Sequence, residues 1–149
     1  MAPAPTPAVP IESAAAPSVF DRVLERYYDA LCVGRWDNLA AQFWNDAHLS
    51  TVRPRGAGGP EEVVSISIAE YVAEAKRTVA RTKPLEIERD AARVDVVGDV
   101  AHVVVEYRAT DRSGDAPQVW RSVDFFTLVR HGEQWRIAAL VFAPSVTTP

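Results

Sequence analysis

The feature that most constrains this chain is a succession of four long strand-like runs in its second half. They cover Leu85 to Val97, Val100 to Thr110, Gln118 to Arg130 and Gln134 to Ala143. Gly98-Asp99 and His131-Gly132 read as hairpin turns, and Asp111 to Pro117 as a looser connection. Such a meander buries one face and needs something to cover it. In the first run Leu85 and Ile87 share one parity while Val94 and Val96 share the other, so an extra residue is required near Ala91-Ala92. A bulge there would bend the sheet, and a bent sheet can enclose a pocket.

The cover comes from the first half. Ser18 followed by Asp21 makes a capping-box-like start. Phe20, Val23, Leu24, Tyr27, Tyr28 and Leu31 then recur at helical spacing up to Gly34. A second short helix is expected from Trp36 to Trp44, with Leu39, Ala40 and Phe43 inward. Strands follow at His48 to Arg53 and Glu62 to Ser67, flanking a Gly/Pro-rich loop. A third helix is expected from Ile68 to about Arg81, capped by Ser67, with Ala69, Val72, Ala73 and Lys76 on one side and Pro84 ending it. Helices first and a meander afterwards define an α+β domain, a cone of three N-terminal helices on a curved antiparallel sheet. The domain is expected over residues 18–149. Residues 1–17, with Pro3, Pro5, Pro7, Pro10 and Pro17, read as a flexible arm without the charged and apolar regions of a signal peptide.

Composition removes several functions. A formal charge of -4 and scattered basic residues argue against nucleic acid as a partner. No apolar run reaches the roughly 18 residues of a membrane span, so no membrane partner is expected and the location is read as cytoplasmic. Cys32 is the only cysteine, which excludes an internal disulfide; it reads as a small buried helix residue or as a reactive thiol. No histidine pair has metal-ligand spacing, so no metal and no cofactor are expected. The string Gly56 to Pro60 lacks the phosphate-loop pattern and is not read as a phosphate site.

Asp124 stands among Val123, Phe125 and Phe126 in mid-strand. A carboxyl in that company has a raised pKa or finds a partner that offsets its desolvation. Its parity groups it with Trp120, Ser122, Phe126 and Leu128 as a pocket wall; the other reading puts it on the outer sheet face, paired with an arginine. Tyr27 lies on the apolar stripe of the first helix, and its buried hydroxyl needs a partner; Tyr28 could exchange roles with it. His48 opens a strand near the expected pocket mouth and could act as a base, or be structural. His102 alternates with Val104, Glu106 and Arg108 and reads as outward-facing. Trp44 and Trp120 are the tryptophans best suited to lie against a ring-shaped apolar ligand.

Two strings, VLERYYDALCVGRWDNLAAQFWNDA from Val23 to Ala47 and VDFFTLVRHGEQWRIAALVF from Val123 to Phe142, resemble the nuclear-transport-factor-2-like superfamily. That group includes ketosteroid isomerases, scytalone dehydratase and SnoaL-like cyclases, and the C-terminal string is also similar to families described as lumazine-binding. The resemblance implies a cystatin-like cone with a pocket, and a homodimer. It places Tyr27 where ketosteroid isomerases have a hydrogen-bond-donating tyrosine, and Asp124 where they have a protonated aspartic acid, a carboxyl held neutral by an apolar site. Thr51 stands where their aspartate base would be, and threonine is no base near neutral pH. The expected function is therefore a domain that binds a small hydrophobic molecule, with Trp44, Trp120, Phe126 and Tyr28 against the ligand. The alternative is an isomerase, cyclase or dehydratase acting by proton transfer through Tyr27, Asp124 and His48.

Overall fold

The computed structural model describes residues 2–5, 18–79, 81–143 and 146–147. Residues 2–5 are exposed and without regular structure; the rest of the expected arm, including residues 6–17, lies outside the described residues.

Helix α1 (Val19–Val33) begins with a complete capping box: the Ser18 hydroxyl accepts from the Asp21 amide, and the Asp21 carboxylate accepts from the Ser18 amide. It ends at Gly34, whose φ of 75° is the left-handed conformation that a helix C-terminus favours in glycine. Its apolar stripe, Phe20, Val23, Leu24, Tyr27 and Tyr28, is buried against the sheet.

Helix α2 (Trp36–Ala40) is shorter than the sequence suggests. Phe43 and Trp44 belong to strand β1 (Phe43–Pro54), because the Gln42 carbonyl accepts from the Ile137 amide at 2.8 Å and Phe43 pairs with Ile137. The spacing of Leu39 and Phe43 suits a helix, but pairing with a distant strand overrides it.

Strand β2 (Glu61–Ser67) pairs antiparallel with β1 and leads into helix α3 (Ile68–Thr78) through a second capping box, Ser67 with Glu70. The buried residues of α3 are Ile68, Val72 and Ala75, whereas Ala73 and Lys76 are exposed and Lys76 meets Asp37 at 2.7 Å.

The run from Leu85 is divided into β3 (Glu86–Arg89) and β4 (Arg93–Val97), both antiparallel to β5 (Val100–Asp111). Asp90, Ala91 and Ala92 stand opposite only Val105 and Glu106, which is the extra residue the parity switch demands. Strands β6 (Gln118–His131) and β7 (Gln134–Phe142) complete the meander, with an irregularity where Ile137 and Ala139 face Leu128 and Thr127. A short β8 (Val146–Thr147) pairs with β6 at Trp120 and Arg121.

The sheet order is β2-β1-β7-β6-β5-β3, with β4 beside β5 and β8 beside β6. The β1–β7 contact is parallel, which joins the helical half of the chain to the meander. The result is an α+β cone with a curved, unclosed and mostly antiparallel sheet. Its concave face, including Leu49, Val103, Val105, Phe126, Leu128 and Leu140, is sealed by the helices.

Candidate functional site

Strand β6 alternates cleanly: Ser122, Asp124, Phe126 and Leu128 are buried, whereas Arg121 and Phe125 are exposed. Asp124 therefore faces inward, 3% exposed, with Val105 and Phe142 as its cross-strand neighbours. Burial raises its carboxyl pKa from 3.8 to about 6, and the hydrogen bond from Tyr28 holds it back from rising further. The Tyr28 hydroxyl donates to Asp124 Oδ2 at 2.6 Å. Near neutral pH the pair is thus a carboxylate served by a phenol.

It is Tyr28, not Tyr27, that makes this contact. Tyr27 lies beside it, 4% exposed, with ring centroids 4.9 Å from Tyr28, 5.3 Å from Phe126 and 5.9 Å from Phe43, all edge-on. Its hydroxyl has no hydrogen-bond partner among the described residues, and burial first, then the Asp124 charge, raise its pKa well above the ordinary tyrosine value.

Two residues that periodicity did not single out complete the cluster. Tyr107 on β5 stands opposite Ser122, with its ring 6.0 Å from that of Tyr28; burial, then Asp124, push its pKa up to about 12. Tyr71 on α3 is raised by burial and by Asp124, with Arg81 pulling the other way. All four tyrosines of the chain therefore sense one buried carboxyl. The signal for Tyr107 was present in its alternation with Val105 and Ala109; for Tyr71 it was the i+3 step from the buried Ile68.

Next to this cluster, between α3 and the β1–β2–β7 part of the sheet, lies a cavity of about 200 Å³. Its apolar wall is Leu49, Val64, Ile66, Ala75, Val79 and Phe142, and its polar groups are Thr51, Arg53, Tyr71, Glu74 and Thr78. Tyr71 and Phe142 join the two features: both line the cavity, while one senses Asp124 and the other is its strand neighbour. Asp124 itself is not among the lining residues. Thr51 lines the cavity, and its hydroxyl donates to the Phe142 carbonyl at 2.8 Å.

The other residues singled out from the sequence lie elsewhere. His48 is exposed on the opposite face of β1 from Leu49, its ring Nδ1 2.9 Å from the Asp46 carbonyl. Trp44 donates from its indole to the Val129 carbonyl at 2.9 Å and carries the Arg136 guanidinium 5.0 Å from its ring centroid, and it does not line the cavity. Phe126 is fully buried core, closed off by Tyr27 and Tyr28. Trp120 is half-buried beside Tyr107. Cys32 is a half-buried free thiol whose pKa burial pushes up. Among the described residues no cluster of three potential metal ligands occurs, and no helix is long and apolar enough to cross a membrane.

The comparisons agree with this architecture. The family described as "Putative lumazine-binding" matches residues 16–143. An NTF2-like protein of unknown function from Pseudomonas putida KT2440 superposes with a TM-score of 0.68 at 16% identity, over 90% of this chain and 89% of that one. A putative scytalone dehydratase from Novosphingobium aromaticivorans DSM 12444 gives 0.69 at 21% identity, over 87% and 83%. A putative ketosteroid isomerase from Shewanella frigidimarina NCIMB 400 gives 0.61 at 17% identity, over 84% and 94%. No curated protein sequence matches. At these identities the structural neighbours establish the fold, which this chain shares with NTF2-like proteins, and the family match establishes membership: the chain belongs to the family described as "Putative lumazine-binding".

Proposed function

We propose that this protein is a small-molecule-binding domain whose ligand lays an apolar body in the cavity beside α3. The observation that carries this reading is how the polar groups around the cavity are committed. The Tyr28 proton is spent on Asp124, and the Thr51 proton on the Phe142 carbonyl. An oxyanion site needs donors aimed at the position a substrate oxygen will occupy, and a base needs a titratable group in reach of a proton. The Tyr28 hydroxyl and the side chain standing at the base position are thus engaged within the protein, while the apolar wall stays open. Concave, mostly apolar space with a few polar groups is what small-ligand binding requires.

A proton-transfer enzyme of isomerase, cyclase or dehydratase type is the second reading. It is favoured by one observation: the Tyr27 hydroxyl has no partner among the described residues, and the Asp124 carboxyl titrates near pH 6. In that reading Tyr27, and Asp124 in its protonated form below about pH 6, donate to a developing oxyanion.

The deciding experiment is titration with a fluorescent naphthol. Binding lost in Val79→Trp, which fills the cavity from its half-exposed rim, and retained in Asp124→Asn and Tyr27→Phe, supports the binding domain. Binding indifferent to Val79→Trp overturns it. Binding lost in both Asp124→Asn and Tyr27→Phe moves the weight to the enzyme.

The domain is further proposed to work as a homodimer joined through the convex sheet face, where Phe125 and Val141 are exposed side by side. A cytoplasmic location fits a chain with one unpaired thiol.

A further inference from the structure

Resting on the reading that the cavity holds a ligand, we infer that this ligand is a compact, ring-bearing amphiphile with a zwitterionic head, of amino-acid size. Size comes first. A cavity of about 200 Å³ is below the roughly 300–1,000 Å³ typical of drug-sized ligands, which favours one or two rings over a larger polycycle.

Charge comes second. Arg53, from β1, and Glu74, from α3, both line the cavity, and neither has an ion-pair partner within 4.0 Å among the described residues. Their neighbours are matched: Arg55 holds Glu62, the cross-strand partner of Arg53, at 3.1 Å, and Lys76 holds Asp37. The cavity is thus flanked at its exposed rim by one cation on β1 and one anion on α3, neither in an ion pair among the described residues. A purely anionic ligand would meet Arg53 but face Glu74, and a purely cationic one the reverse. A carboxylate beside an ammonium satisfies both: Arg53 donates to the carboxylate, and the ammonium donates to Glu74. The ring then lies on Leu49, Val64, Ile66 and Phe142. Farther in, the Tyr71 hydroxyl has no partner among the described residues and can donate to a ring substituent.

The test uses fluorine NMR on the full chain with three probes: para-fluorophenylalanine, para-fluorophenylpropionate and para-fluorophenethylamine. The amino acid should bind about two- to fivefold more tightly than either truncated probe, the upper part of the range an exposed ion pair contributes. Arg53→Gln should erase the advantage over the amine, and Glu74→Gln the advantage over the acid. Equal binding of all three probes, or an acid or amine that binds as tightly as the amino acid, overturns the zwitterion and leaves the cavity reading intact. Failure of all three while the naphthol still binds overturns it equally. If the naphthol also fails, the cavity reading falls with it.

Discussion

The Tyr28 hydroxyl and the Asp124 carboxylate, 96 residues apart in sequence, meet at 2.6 Å and fasten helix α1 to the centre of strand β6. This bond is the only side-chain hydrogen bond to Asp124 among the described residues, and it opposes the burial that raises the carboxyl pKa.

Asp124 should make the protein less stable as pH rises. Its folded pKa, about 6, lies above the ordinary 3.8, so between those values the native state holds a proton that the unfolded state has lost. Its contribution therefore declines from pH 4 to pH 6 and is constant beyond, by roughly 3 kcal/mol in all. Asp124→Asn keeps an acceptor for Tyr28 and removes the titration. Urea unfolding at pH 4 and pH 7.5 should show the variant gaining on the wild type at the higher pH. A difference that does not change with pH would refute the assignment.

Tyr28→Phe and Tyr27→Phe should separate two adjacent tyrosines. Loss of Tyr28 removes the bond that lowers the Asp124 pKa, so the carboxyl should titrate above 6, with a stability loss of about 1–3 kcal/mol from the stranded acceptor. Loss of the Tyr27 hydroxyl breaks no bond to Asp124 and should leave its midpoint in place. Carbon NMR of the labelled aspartate carboxyl, followed against pH in each variant, reads this directly.

That distinction marks where the sequence stops being informative. The inward orientation of Asp124 follows from alternation along β6, because strand parity is a local property. Which of Tyr27 and Tyr28 reaches it depends on the rotation of α1 about its axis. Both lie on the same buried stripe, 4% and 3% exposed, and no pattern within α1 encodes that rotation. The parity switch near Ala91 announced the break between β3 and β4 for the same local reason. The parallel β1–β7 join, by contrast, is a choice between distant partners, and it converted the end of an expected helix at Phe43 and Trp44 into strand. The cavity was missed as a set of residues because its walls come from four separate segments: β1, β2, α3 with the residue after it, and the end of β7.

Thr51→Val should cost about 1 kcal/mol or more, since it leaves the Phe142 carbonyl without the hydroxyl that donates to it at 2.8 Å. Because Phe142 also lines the cavity, the change should alter naphthol affinity as well. Thr51→Ser keeps the donor and should restore most of both. Thermal unfolding and fluorescence titration on the same three proteins provide the check.

Phe125 is 45% and Val141 49% exposed, and they are direct cross-strand partners. Val104 adjoins Phe125 on the other side, and Thr127 and Ala139 continue the same face one pair further. Two large apolar side chains in contact in the middle of a sheet form a patch that water disfavours. A second copy can cover it with the same residues, since a two-fold interface is self-complementary. Light scattering at micromolar concentration should then give twice the 16.3 kDa of the chain. Phe125→Arg should give the single-chain mass with an unchanged circular dichroism spectrum, because its side chain points away from the core and its strand pairing is carried by backbone groups. Phe125→Leu keeps the apolar contact and should remain dimeric. A wild-type protein that scatters as a monomer, or a Phe125→Arg variant that stays dimeric, would remove the convex face as the interface.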